Sequence, residues 1–195
     1  MKILVCITGS SATELGFDLL QNLEKINNIK SFAILSKGAK LSFGAENHID
    51  KNQVLDFCKN KYDLNKTIFF DDDDLAAPCS SGSFRIDQSI ITPCSINTLA
   101  KIKIGICDTL ITRSAAVAIK EQKKLILAIR EMPLSTMVLK NMYKLSKIGA
   151  IIAPPIFASY AAKNINEAKM FIIGKWLDLM NIKHDLYQRW NNKIS

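Results

Sequence analysis

The chain has 195 residues, of which 48% are apolar and 23% charged, and its net charge is +8 at neutral pH. That length suits one domain with a buried core, and the composition excludes an intrinsically disordered chain. No stretch approaches the roughly 20 uninterrupted apolar residues that span a bilayer. The cations are scattered at helix-surface spacing, without the basic runs or interleaved aromatics of a nucleic-acid binder. Neither a membrane nor a nucleic acid is therefore expected as a partner.

At the amino end, one lysine, an apolar run and a glycine occur with no small-residue cleavage site after them. The run reads as a buried first strand, Ile3–Thr8, rather than a leader, so a cytoplasmic protein is expected. The following strands are predicted at Ser31–Leu35, Ser89–Thr92, Thr109–Ile111, Leu125–Ile129 and Ala150–Ala153. Between them Leu15, Leu19, Leu20, Leu23 and Ile26 recur at helical spacing, as do Leu134, Val138, Met142 and Leu145 later. Glu167–Met180 forms a last helix, ahead of a C-terminal arm at about 181–195. This alternation predicts a Rossmann-like α/β fold, a doubly wound parallel sheet flanked by helices in one domain. Ligands of such sheets bind where loops gather at the carboxyl ends of the strands.

Thr8-Gly9-Ser10-Ser11 follows the first strand and precedes a helix, a place where free N–H groups favour a phosphate. A purely structural turn is the alternative. Asp71–Asp74 is the only charge block and reads most simply as a solvated loop. Ser80–Phe84 and Pro93–Leu99 are rich in hydroxyls; in the second, Ser95, Asn97 and Thr98 stand at a helix start, where they cap the helix or meet a ligand's polar edge. Arg113 is expected after a strand, with Lys120 two turns further along the same helical face. Arg130 and Glu131 close another strand, either as a surface ion pair or as an anion anchor beside a proton-transfer carboxylate.

Five cysteines, an odd number without CxxC pairing, argue against zinc or a disulfide framework, and no metal is expected. Only His48 and His184 are available for a histidine-based triad, and neither GxGxxG nor a P-loop is present. What remains suits a phosphorylated small molecule.

In this order, the segments resemble the flavin prenyltransferases, a UbiX-like family. TGSS…LG is similar to the family's TGASG…YG turn, and SSGSF with PCSINTLAKI to its SGSF and PCSxxTL segments. TRSAAVAIKEQKKLILAIREMPL resembles the block around its REXPL motif, and NMYKLSKIGAIIAPP with Tyr160 resembles NMxxLxxxGAxIxPPxPxFY. The similarity runs from Lys2 to Trp190. It implies a homododecamer with sites at subunit interfaces, FMN as bound flavin, and dimethylallyl phosphate or its diphosphate as prenyl donor. The prenylated FMN product would serve UbiD-like decarboxylases in ubiquinone or related aromatic-acid metabolism.

By the same resemblance, Gly9, Ser10, Ser11, Ser36, Ser95, Ile96, Asn97, Thr98 and Arg130 would bind FMN. Ser11, Lys120, Arg130, Tyr160, Lys175 and Trp190 would meet the donor, Arg113 would add positive field, and Glu131 would transfer protons. The chain departs from the pattern at Ser10 and Ala12 in the turn, at Ala116, and at Lys175, which lacks an arginine's fork. A flavin-dependent decarboxylase acting on cysteine would share the fold and FMN. That class uses a histidine near the flavin and a PxMNxxMW segment, and the chain has neither in the matching place. A non-catalytic FMN carrier is the remaining alternative.

Overall fold

Continuous apolar runs make strands that are buried on both faces, as parallel sheets require. In the computed structural model, which describes residues 1–190, these runs are β1 (Lys2–Ile7), β2 (Lys30–Leu35), β4 (Gln88–Cys94) and β5 (Lys124–Ile129). Short strands β3 (Ile68–Asp71) and β6 (Ile151–Ile152) complete a six-stranded parallel sheet of order β3-β2-β1-β4-β5-β6. Residues 191–195, the end of the expected arm, lie outside the described residues.

Helix α1 (Glu14–Glu24) packs on β1, β2 and β4, and its Gly16 approaches them so closely that a Cβ there would sit 2.6 Å from the Thr92 carbonyl oxygen. Helices α2 (Lys37–Asn47) and α3 (Val54–Lys61) follow β2. Helices α4 (Ile96–Ile104), α5 (Leu110–Lys120) and α6 (Thr136–Lys147) belong to the second half. Leu4, Cys6, Phe32, Ile91 and Leu127 point from the sheet into one core with Leu99 of α4, Ala115 of α5 and Val138 of α6. The alternate residues Ile3, Val5 and Ile7 are equally buried, so both faces of the sheet are covered. This is the doubly wound architecture that the alternation predicted.

The Thr109–Ile111 strand is corrected to the start of α5. Thr109 and Thr112 form a reciprocal capping box, and two N–H groups of the first turn, of Leu110 and Ile111, donate to the Asp72 carbonyl and carboxylate at 2.7 and 2.9 Å. A β-branched run resembles a strand, but satisfying the open helix end with these acceptors decides the outcome. Arg113 is therefore helical and does not follow a strand. Asp72 likewise departs from the solvated-loop reading, while Asp71, Asp73 and Asp74 are exposed. Strand β3 escaped prediction because it is a four-residue sheet edge, half exposed between charged neighbours.

The chain divides into two compact units, Met1–Pro154 and Pro155–Ser195. The second carries α7 (Ile165–Leu179), whose N-cap Asn164 accepts from the Glu167 N–H at 3.0 Å. Among the described residues no helix is long and apolar enough to cross a membrane.

Ala12 holds φ 68°, in the left-handed region, just ahead of α1. A Cβ there costs about 1–2 kcal/mol, partly offset by the greater unfolded-state entropy of glycine. Ala12→Gly is expected to raise the unfolding free energy by up to about 1 kcal/mol, read as a higher urea midpoint at unchanged slope.

Candidate functional site

Strands β1 and β4 lie side by side, yet the connections from their carboxyl ends run to opposite faces of the sheet. Such a switch point opens a crevice. Its floor is set by the buried Thr8, whose hydroxyl donates to the Pro93 carbonyl and accepts from the Ser95 N–H, both at 2.8 Å. That bridge holds the start of α4 beside the turn that leaves β1. From the other side, Gly38 of α2 approaches Gly9, where an added Cβ would lie 2.7 Å from the Gly38 carbonyl carbon. Only main chain fits between the two.

Gly9, Ser36, Ser95, Ile96, Asn97 and Thr98 line one cavity of about 350 Å³ at this crevice. Ser36 and Ser95 are N-caps of α2 and α4, accepting from the N–H groups of Ala39 at 3.0 Å and Thr98 at 3.2 Å. Capping therefore accounts for both hydroxyls. Lys37, Gly38, Ile96 and Asn97 precede the first intrahelical bonds, so their N–H groups are left for a guest, and two helix dipoles favour an anion there. The exposed Asn97 side chain makes no hydrogen bond among the described residues and supplies a polar edge.

Lys37, Lys101 and Asp72 also line the cavity, and none is assigned to a site by the sequence, which reads Asp72 only as part of a solvated loop. Lys37 was within reach of the rule that ligands meet strand ends, since it follows β2 directly. Lys101 reaches the cavity by helical spacing from Asn97 and Thr98, four and three residues earlier, a relation visible only once α4 is placed. It pairs with Asp108 at 2.6 Å, and that bond holds the exposed Asp108 carboxyl below its usual range. Burial pushes the Asp72 carboxyl above its usual value, against the lowering effect of the Ile111 N–H and the Thr109 hydroxyl.

Ser10, Ser11 and Arg130 do not line this cavity, and Arg130 is tied to the neighbouring turn through its main chain. Its carbonyl accepts from the Ser10 hydroxyl at 3.0 Å, and its N–H donates to Cys94 at 3.3 Å. The exposed Arg130 and Glu131 side chains and the exposed Ser11 thus stand at the ends of β5 and β1; the Glu131 carboxylate accepts from the Met132 N–H at 3.2 Å. Arg113 leans from the first turn of α5 to donate to the Ser80 carbonyl at 3.0 Å. Lys120 sits elsewhere. It ends α5 beside the amino end of β5, pairs with Glu121 at 2.5 Å, and is separated from Arg130 by the length of that strand, roughly 20 Å. Within Ser80–Phe84, the Ser81 and Ser83 hydroxyls serve their own turn, bonded to each other at 2.9 Å.

Tyr160, Lys175 and Trp190 belong to the second unit. Tyr160 meets Trp190 edge-on at 5.0 Å and Phe171 at 6.1 Å, while Lys175 projects from α7 to solvent. Neither histidine lines the cavity: His48 is the exposed left-handed C-cap of α2, and His184 is bonded to Asp178 within the second unit. No group of three or more potential metal ligands occurs among the described residues.

A main-chain cradle, two helix amino ends and an amide edge fit a phosphorylated heterocycle such as FMN. The Flavoprotein family model matches residues 1–183. Flavin prenyltransferase UbiX of Campylobacter jejuni subsp. jejuni is 51% identical over 193 residues, 98% of this chain and 100% of that protein. A dodecameric FMN-dependent UbiX-like decarboxylase from Escherichia coli O157:H7 superposes with a TM-score of 0.88 at 36% identity, covering 98% of this chain and 100% of the other. AnUbiX, in complex with FMN and dimethylallyl pyrophosphate, gives 0.87 at 36% identity over 98% and 97% of the two chains.

Gly9→Ala is expected to drive α2 away from the turn, costing about 1–3 kcal/mol of stability and abolishing detectable FMN binding by fluorescence titration. For Asp72 the folded-state pKa lies above the unfolded one, so its contribution to stability is greatest in acid and is lost as pH rises through the folded pKa. Asp72→Asn keeps an acceptor for Ile111 and should be at least as stable as wild type at pH 7, the difference closing as pH falls through the carboxylate range. Asp72→Ala should lose about 1 kcal/mol. Urea midpoints measured across pH check both.

Proposed function

The chain belongs to the UbiX flavin prenyltransferases within the Flavoprotein family, and from that membership we propose how its own residues divide the reaction. It joins the dimethylallyl group of dimethylallyl phosphate to reduced FMN at N5 and C6, which makes prenylated FMN. Reduced FMN, when bound, supplies the nucleophilic atoms. The rest falls to the protein.

Gly9, Ser10, Ser11 and Ser36 take the phosphate side of FMN, with the N–H groups at the start of α2 as donors. Ser95, Ile96, Asn97 and Thr98 meet the flavin ring through main chain and the Asn97 amide, and Arg130 closes the site beside Ser10. The observation that carries this reading is the convergence of Gly9, Ser36 and Ser95–Thr98 on one cavity at the switch point. Ser11, Lys120, Arg130, Tyr160 and Lys175 hold the donor's phosphate, with Arg113 adding to the field, and Trp190 flanks the prenyl chain. Cations already in place stabilise the charge that develops on the leaving phosphate, and aromatic faces stabilise an allylic cation. Glu131 moves the proton released as the fourth ring closes.

Lys120 lies a strand's length from Arg130 in one chain, so its assigned role calls for a second copy. A homododecamer with sites between subunits provides one, and the exposed apolar side chains support such burial: Met132 is 88% and Met137 is 76% exposed. Delivery of the product to a UbiD-like decarboxylase, within ubiquinone or related aromatic-acid metabolism, and a cytoplasmic setting complete the proposal.

Purified protein incubated anaerobically with reduced FMN and dimethylallyl phosphate should yield flavin heavier by one C5H8 unit. Loss of carbon dioxide from a cysteine-containing substrate, without that product, would overturn the assignment in favour of a decarboxylase. Glu131→Gln should bind FMN as wild type does and form the closed-ring product at least about a hundredfold more slowly; an unchanged rate removes Glu131 from proton transfer.

A further inference from the structure

The second unit contains a hydrogen-bonded cluster that the reaction as described leaves unused. Asp178, near the end of α7, accepts from Arg189 Nη2 at 2.7 Å and Nη1 at 3.1 Å, from the Tyr187 hydroxyl at 2.5 Å, and bonds His184 Nε2 at 3.0 Å. One carboxylate thereby gathers three side chains from the six residues that lead up to Trp190. One helical turn earlier, Gly174 gives them room. A Cβ there would lie 2.4 Å from Tyr187 Cδ1 and 2.7 Å from His184 Cε1.

The anchored rings continue to Trp190. Tyr187 meets Phe171 edge-on at 4.9 Å, Phe171 meets Tyr160 at 6.1 Å, and Tyr160 meets Trp190 at 5.0 Å. The Arg189 guanidinium also lies over the Tyr187 ring at 5.2 Å. Trp190 itself is 66% exposed, so little other than this chain of contacts fixes its ring. We infer that Asp178 is a positioning residue for the prenyl-donor site: by clasping Arg189, Tyr187 and His184 onto the Gly174 surface of α7, it seats Trp190 against Tyr160. The inference rests on the assignment of Tyr160 and Trp190 to the donor.

Steady-state kinetics on the full-length protein decide it. Asp178→Asn should raise the KM for dimethylallyl phosphate about tenfold, while the dissociation constant for FMN stays within about twofold. In a Trp190→Ala background the same substitution should cost less than about twofold, because the ring it seats is gone. An unchanged donor KM in Asp178→Asn, or losses that simply add in the double variant, overturns the inference. Wild-type donor KM in both Trp190→Ala and Tyr160→Phe would instead overturn the underlying donor assignment, a distinguishable result. Should Asp178→Asn fail to fold, Arg189→Gln replaces it: the same loss and non-additivity support the inference, and wild-type kinetics overturn it.

Discussion

The Thr8 hydroxyl, bonded at once to the Pro93 carbonyl and the Ser95 N–H, is the interaction on which the site depends. It ties the exit of β1 to the exit of β4 at the one place where the sheet's connections reverse direction. A buried hydroxyl without partners would be costly, so the two bonds favour this geometry. Once the two exits are joined, the glycine turn must pass beside α4. Gly38 then closes from α2 because nothing larger than main chain separates it from Gly9. A cavity follows from packing and needs no dedicated wall.

The strongly buried strands were legible in the sequence because runs such as those at Ile3 and Leu125 have no polar face and end in glycine, serine or arginine. Thr109–Ile111 was misread because its β-branched residues obey a local preference that Asp72, distant in sequence, overrides by accepting two N–H groups of the first helical turn. Strand β3 lacked the length and the double-sided burial that made its neighbours visible. In the site, the turn at Gly9 and the Ser95 segment carried their own signals. Lys101 and Asp72 did not, since each reaches the cavity through an element whose placement only tertiary structure gives. Lys120 shows the converse: a motif can name a residue while a single chain leaves it a strand's length away.

The two compact units differ in what they offer a ligand. The first builds the crevice at the switch point from main chain and short polar side chains, on strands whose ends are locked together. The second carries Tyr160 and Trp190, which we assign to the donor, and the Asp178 carboxylate, whose pKa lies well below the usual range, chiefly because Arg189 bonds to it. Burial, with Asp178 beside it, pushes the Tyr187 hydroxyl up to about 12, so it remains a donor at any working pH.

Ser36 and Ser95 in the crevice are occupied in capping, which leaves peptide N–H groups at the starts of α2 and α4 as its open donors. Only proline removes a peptide N–H, so most substitutions away from the Gly9–Gly38 contact leave these donors in place so long as the helices start where they do. Selection can then reshape the rim, at Asn97, Lys37 or Lys101, without endangering the cradle.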